Sequence, residues 1–148
     1  MIDDAFVREK LADLACYLQD LQQVANHSLD EYTNNLFVKR TGERTIELIV
    51  ECAVDINNHF ILEIGSATPS EYFQSFLDMA SLGVISEPLA HALAPTAGLR
   101  NRLAHEYETV IDRIVYNAIH RIITNYAEYI NQIQEWLSVH EFDEETVA

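Results

Sequence analysis

Between Gly98 and Tyr107 the chain reads Gly-Leu-Arg-Asn-Arg-Leu-Ala-His-Glu-Tyr, placing Arg100, Asn101, Arg102, His105 and Tyr107 within eight residues. Two of the nine basic residues fall here, in a sequence whose formal net charge is -15. Arg100 keeps its charge at any working pH. His105 can take up and return a proton near neutrality, Asn101 offers a carboxamide, and Tyr107 a phenolic hydroxyl. Together these are the parts for phosphoryl chemistry: a fixed cation for a phosphate, an acid-base group, and a hydroxyl that can be modified. A structural reading stands beside it, in which Arg100 bridges to a carboxylate, His105 caps a helix end and Tyr107 packs. For Arg102 a solvated face is the expectation.

The elements that must hold these residues are all helical. With 49% hydrophobic residues, four Gly and three Pro in 148 residues, the composition favours an ordered helical chain with a proper core. Val7, Leu11, Leu14, Leu18, Leu21 and Ala25 step by four and three, predicting a helix from about Asp3 to Asn26. Asn26-His27-Ser28 breaks it, and Ser28 can cap a short turn through Asn34. A second long helix is expected over Leu36 to Ile64, its start weakened by Gly42. Thr68-Pro69-Ser70-Glu71 has the form of a helix start, leading a helix that stops near Gly83. Ser86 caps a fourth, with a break expected near Ala94 because of Pro95. The last should begin around Thr109 to Asp112 and end near Leu137, leaving an acidic frayed tail. The expectation is an all-α, up-and-down bundle of about five helices in a single domain over 1-148, with its core over about 3-137.

Cys16 and Cys52 are too few and too far apart for a disulfide framework and are expected as buried, reduced thiols. No signal peptide and no stretch of membrane-spanning length is evident, so a cytoplasmic protein with no membrane association is expected. The acidity leaves no long basic track for a polyanion. An RNA would have to be met locally, by Arg100, Arg102 and the further arginines Arg113 and Arg121. Asp55 and His59, four apart, share a helix face; they are either a catalytic or RNA-contacting pair or a structural hydrogen-bonded one. That spacing supplies too few ligands for a metal. On an ideal helix Asn101 and His105 share a face, while Arg100 lies about 140° from His105. Arginine's reach, a turn near His105, or a two-fold dimer facing two copies of the segment would each bring them to one phosphate.

Arg100-x4-His105-x-Tyr107, with Asn101 after the arginine, resembles the signature of the HepT-like proteins of the HEPN superfamily. Glu51-Cys52-Ala53-Val54-Asp55-Ile56-Asn57-Asn58-His59, Pro69-Ser70-Glu71-Tyr72, Leu82-Gly83-Val84-Ile85 and Val110-Ile111-Asp112 fall in the order that family uses. The likeness therefore runs from about Asp3 to Leu137. It implies a HEPN-like bundle that pairs as a homodimer, both segments lining one cleft. It also implies a metal-independent ribonuclease toxin that needs no cofactor, with an RNA substrate (mRNA or tRNA). Arg100 and His105 would be catalytic and Asn101 and Arg102 supporting. The implied partner is a minimal nucleotidyltransferase antitoxin that modifies Tyr107 with AMP. The alternative is a non-catalytic helical module that binds nucleotide or assembles with the nucleotidyltransferase, which the acidic surface would suit.

Overall fold

In the computed structural model, residues 1–65, 67–68 and 71–147 are described, with side chains apart from Tyr107 and residues 141–147. These residues form α1 (Asp4–Ala25), α2 (Leu29–Asn34), α3 (Leu36–Ile64), α4 (Tyr72–Ser81), α5 (Glu87–Leu93), α6 (Pro95–His105) and α7 (Asp112–Val147), with a 3-10 turn at Tyr107–Thr109. The all-helical class is as expected. The count of seven exceeds five because the short turn after Ser28 is a helix of its own and the fourth run is split at Ala94. No helix among the described residues is long and apolar enough to cross a membrane.

Local chemistry sets most boundaries. The Asp3 carboxylate accepts from the Phe6 N–H, Ser28 from Glu31, and Ser86 from Leu89, each satisfying a donor at the start of a helix. Asn35 closes α2 and caps α3 at once, its side chain accepting from Phe37 and Val38. Gly42 does not unsettle α3: a Cβ there would meet the Tyr32 ring at 3.0 Å and Val24 at 3.2 Å, so the glycine lets α2 lie close. Gly83, at φ +76°, makes the turn after α4 that a side chain would strain.

Two boundaries depart from expectation. Helix α4 begins at Tyr72, with Glu71 at its N-cap position and no side-chain cap, so Thr68 does not start it; Pro69 and Ser70 lie outside the described residues. The register of α4 is set by its neighbour instead, through Asn57 Nδ2 donating to Ser75 Oγ at 3.0 Å. At the other end α7 does not stop near Leu137 but continues to Val147. No Gly or Pro follows Leu137 to interrupt it, and the His140 ring stacks on Trp136 at 3.6 Å.

The core runs along α1, α3 and α7, with α4 to α6 packed against α3 and α7. Val7, Leu14, Leu21, Ile46, Ile49, Val50, Ile56, Phe60, Ile119 and Ile133 are fully buried. At its centre the Tyr129 hydroxyl lies 2.6 Å from Asn57 Oδ1 and 3.1 Å from the Ala53 carbonyl. Asn57 in turn donates to Ser75, so one polar chain locks α7, α3 and α4 into a single relative placement. Cys52 is buried, its thiol donating to the Lys10 carbonyl, and burial pushes it up to about 11. Cys16, expected inside, is exposed.

Candidate functional site

Helix α6 carries the polar segment, and its first turn anchors it. Pro95 occupies the position where a missing N–H costs nothing. Thr96 Oγ1 donates to the Leu93 carbonyl at 2.6 Å and lies 2.7 Å from the buried Tyr126 hydroxyl. Ala97 and Leu103 turn inward, and the helix ends at His105, where Glu106 leaves helical geometry. Because the turn comes after His105, Arg100 and His105 stay on one regular helix about 140° apart, and the turn does not bring them together.

Arg100 does not wave in solvent. Its Nε and Nη2 donate to Glu51 Oε1 of α3 at 3.3 and 2.8 Å, and Nη1 donates to Asn101 Oδ1 at 3.2 Å. The guanidinium lies over the Tyr72 ring of α4, 4.9 Å from its centroid, a cation–π contact. The Glu51 hydrogen bond holds Arg100 still further into its charged form. A guanidinium has five N–H groups; Glu51 and Asn101 engage one on Nε, one on Nη2 and one on Nη1. One N–H on each Nη remains for a ligand, a spacing that suits two phosphate oxygens. The expected bridge to a carboxylate is thus real, yet it orients the cation without using all its donors.

The His105 and Arg102 side chains are exposed and make no hydrogen bond or ion pair among the described residues. Between Arg100 and His105, going round α6 by 100° a residue, come Ala104 and Asn101. Ala104 is small, so the face between cation and imidazole is not filled by a long side chain. Asn101 gives its oxygen to Arg100 and keeps its NH2 group for solvent or ligand. The Tyr107 backbone opens the 3-10 turn that follows, held by Thr109 N–H to the Glu106 carbonyl at 2.9 Å; its side chain lies outside the described residues.

Asp55 and His59 are not brought to this place, nor to each other. Asp55 pairs with Lys10 of α1 at 3.1 Å, and His59 Nε2 accepts the Asp3 N–H at 2.9 Å at the start of α1. Both contacts are made to α1. The expected hydrogen-bonded pair does not form; each side chain makes its own contact with the start or body of that helix. Among the described residues no three His, Cys, Asp or Glu side chains gather as metal ligands do.

Three features escaped the sequence reading. Glu51 and Tyr72, the clamp on Arg100, come from other helices. The third is an open groove of about 310 Å³ between α3 and α6, lined by Arg40, Glu43, Arg44, Glu47 and Leu103. Its signal was present, since Arg40, Arg44, Glu47 and Glu51 step along α3 by four, three and four. The groove and the Lys39–Asp112 ion pair at 3.2 Å draw the first half of α3, the end of α6 and the start of α7 together. Lys39, Arg40, Arg44, Arg100, Arg102 and Arg113, six of the nine basic residues, belong to those segments.

Comparison with known proteins bears on the fold and the family. The family model described as Ribonuclease HepT-like matches residues 14–133. The tRNA nuclease HepT of Aphanizomenon flos-aquae is 32% identical over 136 residues, covering 92% of each chain. A solved toxin-antitoxin structure with AMP-PNP superposes with a TM-score of 0.82 at 20% identity, over 89% of this chain and 99% of that one. The tri-AMPylated Shewanella oneidensis HEPN toxin, in complex with its MNT antitoxin, gives 0.81 at 22% identity, over 91% and 99%. The fold is that of the HEPN toxins. With a match that takes in α3, α6 and most of α7, the chain belongs to the ribonuclease HepT-like family.

Proposed function

We propose that the chain is the toxin of a toxin-antitoxin pair, acting as a metal-independent endoribonuclease. The observation that carries this is Arg100: a guanidinium held on two edges and one face, with an N–H on each Nη unspent, on a helix that ends in an unengaged His105. The 2′-oxygen of the RNA attacks the adjacent phosphorus and the bond to the 5′-oxygen breaks, leaving a 2′,3′-cyclic phosphate and a 5′-hydroxyl. His105 takes the proton of the 2′-hydroxyl. Arg100 stabilises the charge that builds on the phosphorane oxygens, and Asn101 steadies the phosphate. In a two-fold homodimer the second copy's His105 faces the same cleft and returns a proton to the leaving oxygen. The nucleotidyltransferase antitoxin reverses the activity by placing AMP on Tyr107. This last reading draws support from the AMPylated Shewanella oneidensis relative.

The test is incubation of the purified chain with tRNA and mRNA in EDTA, with the 3′ ends analysed by mass. Cyclic phosphate termini are expected. Arg100→Ala and His105→Ala should each lower the rate by at least about 100-fold with the helical spectrum unchanged. Loss of cleavage on chelation, restored by a divalent ion, would replace the metal-free route. RNA left intact by a chain that still binds the antitoxin would favour a non-catalytic module.

A further inference from the structure

Going round α6, Leu103 lies about 60° from Arg100 on the side away from His105. A strand that crosses Ala104 and presents a phosphate to Arg100 therefore passes next into the groove between α3 and α6. Its volume of about 310 Å³ is at the lower end for small-molecule pockets. The lining does not suit a second phosphate, because the charges of Arg40 and Arg44 are matched by those of Glu43 and Glu47. A nucleobase suits it better, having donors and acceptors along one edge and an apolar face for Leu103.

The four charged side chains are not equally occupied. Glu43 is taken by Arg40 at 2.6 Å. Glu47, with a side chain only 14% exposed, stands 3.8 Å from Arg44, beyond hydrogen-bond distance, and accepts no hydrogen bond among the described residues. A half-buried carboxylate without donors is a costly arrangement that a ligand can relieve. Burial raises its pKa, with Arg44 opposing, as expected of an acceptor short of partners. Of the four bases, guanine alone offers two adjacent donors, N1–H and N2–H, to the two oxygens of a carboxylate. Its O6 and N7 accept from arginine.

We infer that this groove is a nucleobase subsite for the residue beside the scissile phosphate, best fitted by guanine, with Glu47 reading the N1/N2 edge and Arg44 the O6. The inference rests on the ribonuclease reading for its place on the strand, but not for the groove's chemistry. Two experiments separate them. In the first, GMP, IMP, AMP, CMP and UMP are titrated onto the full chain by calorimetry. GMP should bind about ten-fold tighter than AMP, with IMP between them because it lacks the N2 amine. Glu47→Gln and the exposed Arg44→Ala should each erase that preference while leaving the helical spectrum intact. In the second, short RNAs with a single guanosine are cleaved, and the same variants should raise KM for these without changing kcat. Equal binding of all five nucleotides, or a GMP preference that survives both variants, overturns the subsite. Variants that lower kcat with base preference unchanged also overturn it, since they then act through Arg100. GMP selectivity lost in the variants, with no RNA cut by the wild type, upholds the subsite and removes the ribonuclease reading.

Discussion

At the scale of single residues, Glu51 matters as a positioning group. It touches Arg100 through two N–H groups and would meet no substrate atom itself. Glu51→Gln keeps the size but removes the charge, so the guanidinium loses its charge-assisted partner. The expected result is a fall in kcat of about ten-fold, with KM for RNA changed less and the fold unaltered; cleavage kinetics with circular dichroism decide it. Tyr107 is a separate matter. Tyr107→Phe removes the acceptor oxygen and keeps the ring, so cleavage should persist while the antitoxin and ATP no longer add AMP. Mass spectrometry on both forms checks this, and equal neutralisation of the variant would make Tyr107 a packing residue. Arg100 and His105 could be picked out as candidates because their chemistry and spacing are local. Glu51 was not, since 49 residues separate it from Arg100 and only the packing of α3 on α6 makes them neighbours.

The helices show the same division. Periodicity and capping residues located α1, α2 and α3 closely, because those signals act within one turn. The start of α4 and the length of α7 escaped them, since the first answers to Ser75 on Asn57 and the second to the lack of any breaker. The face of Asp55 and His59 was right but their partners were not, as α1 alone supplies those. Glycines give a test of packing against propensity. At Gly42 a methyl group would press on Tyr32 and Val24, whereas at Gly98 nothing lies within 4 Å. Gly42→Ala should gain about 1 kcal/mol of helix propensity but lose about 1–3 kcal/mol to overpacking, a net loss of up to about 2 kcal/mol. Gly98→Ala should stabilise by up to about 1 kcal/mol through helix propensity. Thermal unfolding of both variants measures the contrast, and a loss at Gly98 would mean that α6 needs its flexibility there.

For the molecule as a whole, the net charge of -15 had pointed away from a polyanion. Six of the nine cations lie along the joined segments of α3, α6 and α7, but Lys39, Arg40, Arg44 and Arg100 are paired there with Asp112, Glu43, Glu47 and Glu51, so no long basic track forms. Binding of RNA should thus rest on a few phosphates, not on a long track. With three or four neutralised, the slope of log affinity against log salt should be about -2 to -3 for a single strand. Fluorescence anisotropy across a salt series gives the slope, and a value near zero would deny the cations a part. Sedimentation should return twice the chain mass of 16.9 kDa for the homodimer; a monomer that cleaves RNA would dispense with the shared cleft.

The clamp on Arg100 has one more consequence, which concerns disorder. A free arginine side chain holds about 2 kcal/mol of rotamer entropy that a ligand must remove on binding. Here Glu51, Asn101 and the Tyr72 ring have already removed much of it as the chain folds. On the proposed reading, a phosphate reaching Arg100 would meet a guanidinium that has little freedom left to lose. By that measure alone, up to about 30-fold in affinity for such a phosphate would be set when the helices assemble, before any ligand is present.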